Sequence, residues 1–168
     1  MPTNGSTANG TFTGALRRGG ESFTFTTVVT GLDFGGAQTA STADNVVGGH
    51  IHRAPVGVNG PIVFGYVGSP NHDTDGDTVI TGAAGTVRAQ WDAAEGNATT
   101  LTAQLAQLRA GNLYVNYHTT AFPGGEIRGQ ILPVDTGRDR VDVSGVGIAD
   151  FATLLRFTTD VNGSAQLT

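Results

Sequence analysis

The chain has no cysteine, no lysine and a single methionine. Without thiols there can be no disulfide, thiolate nucleophile, iron–sulfur cluster, Cys-type zinc finger or blue-copper Cys ligand. Charge is sparse as well: 14% of residues are charged, all nine cations are arginines, and the net charge is -5. No basic run stands out, so neither nucleic acid nor an anionic membrane surface is an expected partner. No apolar run approaches the ~18 residues of a membrane span. Met1-Pro2-Thr3-Asn4-Gly5-Ser6 has neither a basic start nor an apolar stretch. It reads as the beginning of a mature or trimmed chain rather than as a leader. The lysine-free, Thr-, Asn- and Gly-rich chemistry points to an exported protein: secreted, periplasmic or at the cell surface.

What is present is a set of short alternating runs. The 168 residues suffice for one domain with a real core. Thr11 to Leu16 and Ser22 to Val29 flank Arg17-Arg18-Gly19-Gly20 and read as a β-hairpin with a Gly-Gly turn. Leu32 to Val47 reads as a loop running into a strand at His50-Ile51-His52. Ile62 to Val67, Thr86 to Trp91, Leu113 to Thr119 and Glu126 to Leu132 read as further strands, with Gly, Pro and Asn turn chemistry between them. One segment differs. Leu101, Leu105 and Leu108 recur at helical spacing, Thr99 or Thr100 caps the start and Gly111 stops it, predicting a short helix over about 99–110. Pro133 to Arg140 reads as a linker, followed by two apolar stretches, Val141 to Ile148 and Phe151 to Phe157. The expected architecture is all-β, an antiparallel Greek-key β-sandwich of the immunoglobulin or superoxide dismutase kind, with that one helix.

Three of the four histidines lie in strand segments. His50 and His52 flank Ile51, so their imidazoles share a strand face. In Leu113–His118 the apolar set is Leu113, Val115 and Tyr117, and the other set is Tyr114, Asn116 and His118. If the apolar sets face the core, all three histidines face away from it, where loops can cover them. Three neutral imidazoles suit copper or zinc. The bland alternative is three solvated side chains. A second metal candidate is Asp73-Thr74-Asp75-Gly76-Asp77, whose alternating carboxylates around a glycine resemble the start of a calcium loop. The downstream bidentate Glu is absent, and a solvated acidic turn is the competing reading. No phosphate loop, Gly-x-Ser-x-Gly or His-Glu-x-x-His pattern occurs.

Several blocks resemble the chordin-type (CHRD) domain: His50-Ile51-His52-Arg53-Ala54-Pro55, Asn59-Gly60-Pro61-Ile62-Val63, Gly111 to Thr119, and Phe122-Pro123-Gly124-Gly125-Glu126-Ile127-Arg128-Gly129-Gln130. The likeness runs from about Ala8 to Leu132. The family's apolar opening strand has no counterpart before Gly5-Ser6; the tail Asp150–Leu155 and Asn162–Leu167 looks loosely like it. We therefore divide the chain into a CHRD domain over 1–132 and a segment over 133–168. That segment holds a linker and strands that either pack on the same domain or begin a second repeat. The CHRD pattern is in turn similar to that of Cu,Zn superoxide dismutase. This second resemblance implies His50, His52 and His118 as copper ligands, His72 near the position of a bridging histidine, and Arg128 as the catalytic cation beside an open coordination position. It implies a copper-only centre with superoxide-related redox activity. For Arg128, a structural ion pair with Glu126 on the same strand face is an equal alternative. For the whole chain, the alternative function is a non-enzymatic module that binds or scaffolds other extracellular proteins.

Overall fold

A computed structural model describes residues 4–82, 85–134 and 155–162. Strands β1 (Asn9–Leu16) and β2 (Ser22–Thr30) form the expected hairpin. Its turn is closed by the Gly20 N–H donating to the Arg17 carbonyl at 2.9 Å, and Gly19 and Gly20 take φ of 85° and 75°, a region open to glycine at no steric cost. Strands β3 (Val46–Arg53) and β4 (Ile62–Gly68) pair next, then β5 (Val79–Thr81) with β6 (Thr86–Asp92). Helix α1 (Leu101–Arg109) leads to β7 (Leu113–Thr119), which pairs with β8 (Ile127–Val134). The last strand is β9 (Leu155–Asn162).

Hairpins stay within a sheet, whereas the other connections between β2 and β7 cross between sheets. One sheet runs β4-β3-β7-β8 and the other β1-β2-β6-β5, with β9 antiparallel to both β8 and β1. The central neighbours β3/β7 and β2/β6 are thus non-sequential, as in Greek-key sandwiches. The fold is the expected all-β sandwich. β5 is an element the sequence did not announce, because its three residues are all exposed. β8 continues through Pro133 and Val134, which the sequence assigned to a linker. The remainder of that stretch and Val141 to Ile148 lie outside the described residues.

Between the sheets sits an aromatic core. Phe64 of β4 and Trp91 of β6 lie face to face at 5.1 Å, and Phe25 of β2 meets Tyr66 of β4 edge-on at 4.9 Å. Offset and edge-on pairs of this kind suit the ring quadrupoles. The Thr100 hydroxyl caps α1 by accepting from the Ala103 N–H at 3.2 Å. Leu101 and Leu108 are fully buried, and Leu105 packs so closely on the hairpin turn that a Cβ on Gly20 would lie 2.5 Å from it.

Candidate metal centre

The core-facing set of β7 is Leu113, Val115 and Tyr117, all fully buried, and Ile51 of β3 joins them. Period-two alternation then forces His50, His52, Tyr114, Asn116 and His118 onto the opposite face of the sheet. The register pairs His50 with Asn116, His52 with Tyr114 and His118 with Gly48. His118 therefore meets His50 on a diagonal. The absence of a side chain at Gly48 lets the His50 ring lean into that space, since a Cβ there would lie 2.7 Å from His50 Cε1. Ring centroids are 4.9 Å apart for His50 and His118, 5.8 Å for His52 and His118, and 5.9 Å for His50 and His52. One nitrogen from each ring falls within 4.8 Å of the other two.

At His50 and His52 the outward face is closed to solvent, whereas His118 is half-buried. His50 is 3% and His52 7% exposed. Each histidine lies under its own loop. The segment 54–61 crosses His52, and the His52 Nδ1–H donates to the Gly60 carbonyl at 3.0 Å. The turn 122–125 crosses His118, whose Nδ1–H donates to the Pro123 carbonyl at 2.9 Å. A carbonyl only accepts, so both rings carry their proton on Nδ1 and offer the Nε2 lone pair. The segment 69–72 crosses His50. It fits there because Gly65, paired with His50 across β3 and β4, has no side chain: a Cβ would lie 1.9 Å from the Pro70 carbonyl oxygen.

Three buried nitrogens stay without a hydrogen-bond partner: both of His50, and Nε2 of His52. Buried polar atoms are almost always paired, so this convergence of lone pairs fits a metal ion. Electrostatics agrees. Burial first, then His118 and His52, push His50 from 6.5 down to about 4; the Ser69 carbonyl opposes this without reaching hydrogen-bonding geometry. Burial also lowers His52, opposed by the Gly60 carbonyl and aided by His118 and Arg128. Both rings are neutral at neutral pH, the form that ligates. His118 Nε2 has one long contact, the Asn116 side-chain amide at 3.3 Å.

Beside the trio, the Tyr114 ring stacks on His52 at 4.8 Å with a 9° interplanar angle. The Arg128 guanidinium lies 3.3 Å over the same ring.

A family model for the CHRD domain matches residues 1–131. The chain belongs to the CHRD-domain family. CHRD domains are typically extracellular, and no helix among the described residues is long and apolar enough to cross a membrane. No curated protein and no solved structure matches the chain, and these comparisons give the likeness to superoxide dismutase no support.

Within this CHRD domain, Arg128 does not pair with Glu126 as the strand parity allowed. Glu126 accepts from the Ser6 hydroxyl at 2.6 Å and from Thr119. Arg128 instead donates to the Val58 carbonyl at 2.8 Å and to Asn59 Oδ1 at 3.1 Å. His72 is not part of the three-histidine group. Its Nδ1 accepts from the Gly65 N–H at 3.0 Å while the His72 backbone N–H donates to the Gly65 carbonyl at 2.7 Å, which anchors the segment over His50. The acidic loop gathers more carboxylates than its sequence suggested. Glu95 joins Asp73 and Asp75, and Asp92 joins Asp75 and Asp77. Two of these point inward: Asp73 accepts from the Gly76, Asp77 and Thr78 amides, and Glu95 from Thr74 and the Asp92 amide. Burial and the neighbouring carboxylates raise Asp75 and Asp77. The residues that sequence reasoning passed over are the glycines 48, 60 and 65. The signal for Gly48 was present, since it shares the face of His50 two residues away.

Proposed function

We propose that this CHRD domain is an extracellular metal-holding module that binds copper through His50, His52 and His118. The carrying observation is the convergence of three imidazoles, two of them buried, whose inward nitrogens lie within 4.8 Å of one another while the outward Nδ1–H groups of His52 and His118 are fixed by carbonyls. An all-imidazole donor set without thiolate or carboxylate suits copper, which heads the affinity order for nitrogen sites. Bound copper would supply one-electron cycling between Cu(II) and Cu(I), the basis of superoxide-related redox activity. The chain's own part is to hold three imidazole donors, shield His50 and His52 from bulk water and keep the Arg128 charge close to His52. Arg128 serves less as an anion trap than a free arginine would, because its donors are occupied by Val58 and Asn59.

The test is copper titration of the apo protein followed by EPR. We expect a one-to-one type-2 signal that is lost in His50→Ala and His118→Ala. Binding no tighter than micromolar would sink the assignment. A superoxide assay on the loaded protein then separates redox enzyme from copper-holding module: turnover no faster than that of free buffer copper leaves only the holding role.

A further inference from the structure

The loop 54–61 has little apolar anchorage of its own, with Val56 and Val58 51% and 50% exposed. Its base is held by backbone and amide bonds: Arg53 N–H to Pro61, Ala54 N–H to Asn112, and the Gln130 side chain to the Ala54 carbonyl. Its tip is held differently. Arg128, on β8, reaches over Tyr114 and donates to Val58 and Asn59. The Gly60 N–H donates to the Tyr114 hydroxyl at 3.1 Å. The next link is the Gly60 carbonyl, which accepts from His52 Nδ1. Gly60 sits so near the base strand that a Cβ would lie 1.8 Å from the Arg53 carbonyl oxygen. In the register, His52 lies on the β3 side of Tyr114 and Arg128 on the β8 side, so the ring is gripped between imidazole and guanidinium.

We infer that Arg128 and Tyr114 are positioning residues: together they clamp the tip of the 54–61 loop so that Gly60 fixes His52 as the Nδ1–H tautomer with Nε2 turned toward the other two histidines. This assigns Arg128 a role through His52 rather than through a substrate anion. A guanidinium can stack on a ring while forking to two acceptors, which an ammonium cannot. Outer hydrogen-bond partners of metal-ligating histidines commonly carry 10–100-fold in affinity, so the loop tip is a place where such an effect would arise. The inference deepens the copper reading, but its first measurement does not depend on it.

That measurement is the tautomer of His52 in the full-length, metal-free, nitrogen-15-labelled protein, read from long-range proton–nitrogen correlations of the imidazole rings. In the unsubstituted chain His52 should show a protonated Nδ1 and a bare Nε2. In Arg128→Gln the His52 signals should become a mixture of both tautomers, whereas His118, held by Pro123, keeps its own. Arg128→Lys should resemble Arg128→Gln. Asn59→Ala, a change on the exposed loop that leaves the sheets intact, should shift His52 in the same direction if Arg128→Gln does not fold. Copper affinity is the second readout, with about a tenfold loss expected for Arg128→Gln. An unchanged His52 tautomer in both Arg128→Gln and Asn59→Ala, with lowered thermal stability alone, would overturn the inference. So would a His52 that carries its proton on Nε2 in the unsubstituted protein. If the unsubstituted protein binds no copper, the copper reading falls and the tautomer measurement still decides the clamp.

Discussion

At the scale of single residues, His50 is the unusual one, because neither ring nitrogen has a partner and the ring is buried. Its stability effect has a definite sign. Unfolded, the ring takes a proton near 6.5; folded, it resists until about 4. Between those values the unfolded chain binds the extra proton, so stability falls as pH falls through that window and the loss is complete below about 4. Above the window the contribution is constant. Urea midpoints of the metal-free protein at pH 7, 5 and 4 should therefore decline more steeply than those of His50→Gln. Equal slopes would place the imidazole in a wetter setting than its 3% exposure implies.

The glycines around that ring have separable effects. Gly65→Ala puts a Cβ 1.9 Å from a backbone oxygen, which neither strand nor loop can yield cheaply. We expect a loss of about 1–3 kcal/mol in chemical denaturation. Gly48→Ala meets only the end of the His50 ring at 2.7 Å. It should leave the denaturation midpoint nearly unchanged while weakening copper binding about tenfold, as displacement of a ligand support does.

At the scale of elements, α1 ties the sandwich end to the β1–β2 turn through Leu101, Leu105 and Leu108. Its single side-chain cap is Thr100. Thr100→Ala should lower stability by about 0.5–2 kcal/mol by thermal or urea unfolding without altering metal affinity, because the main packing partners of α1 are β8 and the hairpin turn rather than the histidine strand β3. Strand and helix positions were legible where side chains alternate against a core. Leu113, Val115 and Tyr117 gave β7 its bounds and the direction of His118. The Leu101, Leu105, Leu108 spacing placed the helix within two residues. Legibility failed where the pattern carries no burial. Val79-Ile80-Thr81 is wholly exposed, and Val46 to Gly49 ends in two glycines with weak strand preference, so β3 read as shorter than it is. The site divided the same way. Parity brought the histidines to one face, but loop packing is not periodic. The hydrogen-bond partners of Arg128 come from residues 58–59, those of Glu126 from residues 6 and 119, and that of His72 from residue 65, at separations that no strand alternation encodes.

At the scale of the whole molecule, the CHRD match ends at residue 131, inside β8, while β9 lies between β8 and β1 and joins the two four-stranded sheets into one ladder. Every residue of β1 from Asn9 to Leu16 pairs with β9 as well as with β2. A chain truncated after Val134 would leave β1 and β8 as long unpaired edges, the geometry most prone to strand-to-strand association. We expect such a chain to melt at a lower temperature and to show concentration-dependent oligomers by light scattering. A truncated chain that stays monomeric with an unchanged melting temperature would show that β9 adds nothing to the fold.

The glycines at 48, 60, 65 and 125 act on the sheet's outer side as the aromatic rings do on its inner side: they set how close the next layer comes. Where a Cβ would meet a backbone oxygen at 1.8 or 1.9 Å, or the Asn116 amide at 2.4 Å, only a bare backbone permits contact. The sheet therefore has two independent interiors, an oily one filled by side chains and a polar one made by leaving them out. Mutational drift in the first would be read as melting temperature alone, and drift in the second also as a change in how the loops sit over the histidines. Resizing the three loops over the histidines would therefore alter what surrounds those rings while leaving the aromatic packing between the sheets in place.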